Sequence, residues 1–133
     1  MKDLLRKRNL RNYNEKTIKK FLGDNLDAVM VDAYVTENGD TYASFPRAKL
    51  CGHEGKEVIL WGIQYLPIKE LHNTNGIFLC KNYDEGKALF TEWCKLESTI
   101  NEQKKILEKK ISHHKHQISK FEEKLTKLNE TKE

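Results

Sequence analysis

Apolar positions recur at helical intervals near both ends of this chain and alternate with polar ones in between. Leu4, Leu5, Leu10, Tyr13, Ile18, Phe21 and Leu22 make a loose helical stripe. Asn12 and Glu15 have capping-box spacing, which predicts a helix running to a C-cap at Gly23, preceded by a further helical turn or a flexible arm. In VMVDAYVTENGDTYASF, Val29, Val31, Ala33 and Val35 alternate with Met30, Asp32, Tyr34 and Thr36, the period-two pattern of a strand. Asn38-Gly39 supplies the residues of a type I′ turn, so Glu37 should oppose Asp40, Val35 oppose Tyr42 and Ala33 oppose Ser44.

Pro46 ends that second strand, because it has no N–H to give to a ladder. A loop through Gly52 and Gly55 then leads to EVILWGIQYL, an apolar run read as one strand with a bulge or close approach at Gly62. A polar stretch after Pro67 precedes GIFLC, the fourth predicted strand. From Asn82, which has capping-box spacing to Glu85, the period becomes helical through Ala88, Leu89, Trp93, Leu96 and Ile100. It continues as a heptad-like seam through Leu107, Ile111, His114, Ile118, Phe121, Leu125 and Leu128, with Gln103 in one core slot and a stutter between Leu107 and Ile111. One continuous helix from Asn82 would reach about 70 Å, far beyond a small body. It must therefore meet a partner helix, as in a homo-oligomer, or fold into a hairpin, for which Thr99 with Glu102 and Ser119 with Glu122 offer new caps. The expected fold is α+β: an N-terminal helical arm (1–25), a mostly antiparallel four-stranded body (26–81) and a coiled-coil-like helical segment (82–133).

Charge adds a direction to this outline. Residues 1–20 carry eight Lys/Arg against two acids, residues 21–80 carry four against eight, and residues 81–133 carry twelve against ten. The first segment is a basic arm with Arg6, Lys7, Arg8, Arg11, Lys16, Lys19 and Lys20, interleaved with Asn9, Asn12, Asn14 and Tyr13. Cations neutralise phosphates and Asn or Tyr adds hydrogen bonds or stacking, so the arm is a candidate nucleic-acid contact. The competing reading is a solvated helix face. Trp61, Phe45, Tyr34 and Tyr42 could stack bases, although strand aromatics more often fill cores.

Little else in the chain looks chemical. His113, His114 and His116 lie in four positions, but only His113 and His116 share a helix face, short of the ligands that zinc needs. They read as helix surface, with His114 turned to the seam. Cys51-Gly52-His53 offers one close pair and no orienting acid. Three widely spaced cysteines fit reduced thiols better than a disulfide framework. No apolar run is long enough to cross a membrane and the N-terminus has no signal-peptide core, so a cytoplasmic location is expected. With no phosphate loop or nucleophile elbow, the chain reads as a non-enzymatic protein without metal or cofactor.

One stretch has a likeness to a known family. Residues 31–64 resemble the central hairpin of the SpoVG family of small bacterial nucleic-acid-binding regulators: the Gly39 turn, the strand running into Pro46 with Arg47 and Lys49 behind it, and Gly55 before the next strand. The resemblance implies Arg47 and Lys49 as nucleic-acid contacts. It covers about a quarter of the chain, no Ser follows Pro46, and the long tail has no counterpart. The function expected is a regulator that assembles through its tail and holds nucleic acid with its basic arm. The alternatives are a phage-type inhibitor or adaptor directed at a host protein, and a protein that sequesters a small anionic ligand.

Overall fold

The computed structural model describes residues 2–130; Met1 and residues 131–133, the outermost ends of the predicted arm and tail, lie outside the described residues. It is α+β, with helices at the N-terminus, six antiparallel strands and a long C-terminal helix. The strands form two sheets of three where one four-stranded sheet was expected.

The first residues are helical and packed. Helix α1 (Lys2–Arg8) and a 3-10 turn (Leu10–Asn12) bury Leu5 and Leu10, so this segment belongs to the body. Helix α2 (Glu15–Asp24) starts two residues after the expected point. Its capping box is Asn14 with Thr17, each side chain accepting the other's backbone N–H at 2.8 and 2.9 Å. The helix runs past Gly23 to a C-cap at Asn25.

Strand β1 (Val29–Val35) lies between β2 (Thr41–Ser44) and β6 (Ile77–Cys80). The β1–β2 register is one residue off the expected pairing, with Val35 opposite Thr41 and Tyr34 opposite Tyr42. The loop has three residues, Glu37–Gly39, and only Gly39 takes positive φ (85°). Thr36 explains the change: its N–H donates to the Asp40 carbonyl (2.7 Å) and its hydroxyl accepts the Asp40 N–H (3.1 Å).

The segment read as a loop is strand β3 (Ala48–His53), which pairs with β4 (Lys56–Trp61). The type I′ turn of this protein sits here, at Glu54 (φ 52°) and Gly55 (φ 76°). EVILWGIQYL is two strands, because Gly62 at φ 66° reverses the chain and β5 (Gln64–Pro67) folds back on β4. A second 3-10 stretch (Ile68–Asn73) leads to β6.

Pro46 joins the sheets. Its carbonyl accepts the Met30 N–H at 2.8 Å while Ala48 donates to Ala28 at 2.9 Å, so the chain crosses from one sheet to the other along β1. β1 is covered on both faces. Val29, Val31 and Ala33, with Phe78 and Cys80 of β6, pack with Leu5 and with Leu89 of helix α3 (Tyr83–Cys94). Met30 and Leu79 face the other way, into a cluster with Ile18, Leu22, Ile59, Trp61 and Leu71.

Asn82 caps α3 as expected, accepting the Glu85 N–H at 2.9 Å. The C-terminal segment neither runs on as one helix nor folds at Thr99 or Ser119. It breaks at Lys95–Leu96, where two amides bond three residues back, and α4 (Glu97–Glu130) follows. Trp93 and Leu96 are held against the α1–α3 core at this break. Helix α4 is about 51 Å long. Its first half lies on the β1–β2 turn, where Gln103 Nε2 donates to the Gly39 carbonyl (2.8 Å) and Lys110 Nζ to Asn38 Oδ1 (3.2 Å).

Candidate functional site

The cations predicted to form one nucleic-acid surface divide into three kinds. Arg8 turns inward from the last turn of α1. Its Nε lies 2.7 Å from Glu85 Oε1, its NH1 donates to the Tyr13 hydroxyl at 3.2 Å, and its guanidinium lies 5.0 Å from the Phe21 ring centre. The Nε–H is not aimed along that 2.7 Å approach, so the contact is ionic in character. Burial works against the charge, but Tyr13 and Glu85 outweigh it and raise the guanidinium's hold on its proton. Arg8 is a structural residue that ties α1 to α3.

Lys19 and Arg47 are also engaged. Lys19 Nζ reaches Glu57 Oε2 on β4 at 2.8 Å and Glu15 at 3.5 Å. Arg47 donates to the Leu26 carbonyl at 3.1 Å and pairs with Asp27 at 3.4 Å, both exposed. The remaining six, Arg6, Lys7, Arg11, Lys16, Lys20 and Lys49, have no ion pair among the described residues. Lys16 and Lys20 share the outer side of α2 at i, i+4 spacing, and Lys49 stands on the second sheet.

Arg6 and Lys7 are the pair that local structure brings together, and Arg11 follows them on the adjoining 3-10 turn. Asn9 caps the 3-10 turn by accepting the Arg11 N–H at 3.0 Å, and Asn12 donates to the Arg6 carbonyl at 2.6 Å. These two bonds fold α1 and the turn against each other, and Arg6, Lys7 and Asn12 line an open concavity of about 510 Å³. The interleaved asparagines therefore hold the backbone that carries the cations, and those two side chains are occupied by that task.

Beside this patch is a second cleft of about 510 Å³. β1 runs three residues past its last pairing with β6, Asp32 with Ile77. Thr36 bonds toward β2, so by strand alternation Val35 points its N–H and C=O away from β2, into the cleft. Leu5, Phe78, Trp93 and Leu96 give the cleft an apolar floor, and Arg6 and Glu102 stand on its walls. Sequence reasoning missed this cleft, which lies beside the three residues of β1 that β6 does not reach.

The aromatic expectations divide as well. Trp61 is buried and Phe45 packs against the second cluster, whereas Tyr34 and Tyr42 form an exposed pair with ring centres 5.4 Å apart. On the second sheet His53 stacks flat on Tyr65 at 3.9 Å, a contact that pattern reading did not find. Cys51 is half-buried two residues away on the same strand face, and His53 approaches the exposed Glu54 at 3.7 Å. Among the described residues no three His, Cys, Asp or Glu side chains are grouped to hold a metal ion. Among the same residues no helix is long and apolar enough to cross a membrane. No family model, curated protein or solved structure matches this chain.

Among the described residues, the longest exposed apolar row lies on the outer half of α4. Every residue from Ile111 to Glu130 is exposed, and Ile111, Ile118, Phe121 and Leu125 stand 54–62% open to solvent. Leu107 is the exception among the upper seam residues, because its Cγ would lie 2.8 Å from a Cβ placed on Gly39. It belongs to the contact with the hairpin turn. His114 lies between Ile111 and Ile118 in the same row, and Leu128 ends it.

Proposed function

We propose that this protein is a non-enzymatic binding protein that self-associates through the outer half of α4 and meets a nucleic-acid backbone with Arg6, Lys7 and Arg11. The observation that carries the reading is the row of exposed apolar side chains on a helix that projects beyond its own body. An isolated helix of this length gains little from propensity alone, and a second copy would cover the row. Burying Ile111, Ile118, Phe121 and Leu125 from their present exposure contributes about 1–1.5 kcal/mol each, or about 10 kcal/mol for a pair of chains. Association costs about 4 kcal/mol or more, which leaves a dissociation constant of about tens of micromolar.

Sedimentation velocity across a concentration series tests the assembly. Dimer should form in that range, and Ile118→Glu with Phe121→Glu should abolish it while leaving the body's melting transition in place. A wild-type chain that stays monomeric at about 1 mM sinks this reading. Fluorescence anisotropy with short DNA and RNA tests the second half. Three cations meeting three phosphates predict an affinity that falls about 40-fold between 50 and 200 mM salt on a duplex. Binding unchanged when all three become Glu would remove the patch from the account.

The cleft at the open edge of β1 favours a second reading, an adaptor that takes an extended segment of a protein partner. No nucleic-acid binding at low salt, together with stoichiometric and nuclease-resistant recovery of one protein, would select it.

A further inference from the structure

The outer seam of α4 pairs with itself better in one orientation than in the other. Ile111, Ile118 and Leu125 occupy one heptad position, and His114, Phe121 and Leu128 the other. Antiparallel helices set one class against the other, and this row is symmetric about a point between Ser119 and Lys120. Reversal places Ile111 opposite the partner's Leu128, His114 opposite the partner's Leu125, and Ile118 opposite the partner's Phe121. Every seam position finds an apolar neighbour, and the two His114 rings stay apart. In a parallel pair they would meet across the axis.

The flanking charges point the same way. Lys115 and Glu122 each follow one of the second-class positions. In the antiparallel arrangement Lys115 faces the partner's Glu122, and the two-fold axis makes this attraction twice. In a parallel pair Lys110 would face the partner's Lys115 twice, and Gln117 would face the partner's Glu122. The bodies favour the same choice. Each α4 is fixed to its own hairpin turn through Gln103 and Lys110, so in the reversed register the two bodies lie at opposite ends of the paired seams, whereas a parallel pair would set them side by side.

We propose that the chain forms a two-fold symmetric dimer in which the outer halves of two α4 helices run antiparallel, held in register by Lys115–Glu122 pairs. This rests on the assembly reading above, and its test separates the two. Lys115→Glu and Glu122→Lys should each raise the dimer dissociation constant about fivefold at low salt, because each places like charges opposite one another twice. The double variant should restore it. A Lys115→Glu chain that associates more tightly, as relief of Lys110–Lys115 repulsion in a parallel pair requires, overturns the orientation, and so does no change in either single variant. A spin label at Lys109→Cys, with Cys51 and Cys94 replaced by Ser, gives an independent readout. The antiparallel pair holds the two labels about 30 Å or more apart, and a parallel pair about 20 Å. A wild-type monomer at all concentrations removes the assembly reading, whereas a dimer with the shorter label distance removes only the orientation.

Discussion

Replacing Arg8 with Ala should unfold this protein more readily than any other single change among the N-terminal cations. The side chain is 15% exposed and Glu85 is 17% exposed. Truncation leaves the Glu85 carboxylate with the Lys81 N–H at 3.3 Å as its remaining hydrogen bond to a donor. It also removes the partner of the half-buried Tyr13 hydroxyl and uncovers the Phe21 ring. The hydrogen bond from the charged Arg8 to Tyr13 contributes about 1.5–3 kcal/mol, and a partly exposed cation–π contact about 0.5–1. Water still screens part of the ion pair, so the combined loss is about 3 kcal/mol, below the range for fully buried pairs. For a domain of this size that corresponds to about 10 °C in Tm. Urea and thermal unfolding of Arg8→Ala beside Arg6→Ala and Lys7→Ala is the assay, with the last two expected within about 0.5 kcal/mol of wild type. A double-mutant cycle with Glu85→Gln should show coupling of about 1 kcal/mol or more. If Arg8→Ala proves as mild as Arg6→Ala, the claim that this arginine fastens α1 to α3 is refuted.

Two further outcomes follow from packing and burial. A Cβ on Gly86 would meet Val31 Cγ2, Val29 Cγ2 and Phe45 Cδ1 at 3.1–3.3 Å. The helix-propensity gain of about 1 kcal/mol in Gly86→Ala is therefore outweighed, and urea unfolding should show a net loss of about 1 kcal/mol, with Gly86→Leu failing to fold. Burial first, and then the Glu85 carboxylate, push the Cys80 thiol up to about 12, with Arg8 opposing. A thiol reagent at pH 8 should label Cys51 and Cys94 in the native protein and reach Cys80 only on unfolding, and fast labelling of all three would contradict this. Because the folded value is the higher one, Cys80's contribution is complete below the ordinary thiol range near pH 9. Stability should decline as the pH climbs from there toward 12.

Local chemistry was readable where a single residue decides a local geometry. Asn82 had to cap a helix, Pro46 had to end a ladder, and the alternation from Val29 to Val35 had to be a strand. Reading failed where two local solutions were nearly equal. Asn38-Gly39 satisfies a two-residue turn on paper, but the Thr36 hydroxyl and the α4 residues pressing on Gly39 select a three-residue loop. Strand β3 was hidden because AKLCGH has no clean alternation, and the turn that closes it uses Glu54 at positive φ, which composition does not advertise. The break at Lys95–Leu96 has no glycine or proline to announce it and follows from where Trp93 and Leu96 find a core. In the candidate site, net charge singled out the N-terminal segment. It could not separate Arg6, Lys7 and Arg11 from Arg8 and Arg47, because the acidic partners Glu85 and Asp27 lie far along the chain.

The double covering of β1 sets how this molecule comes apart. Val29 and Val31 belong to one core and Met30, between them, belongs to the other. Neither core can open without exposing a strand that the other one needs, so the body should behave as a single cooperative unit. The amides of Met30 and Val31 should then exchange with solvent water only through global unfolding. The outer half of α4 has no such tie to the body, and in the monomer its amides should exchange orders of magnitude sooner. One chain thus carries two stability scales, a body that opens all at once and a rod whose order depends on what lies beside it.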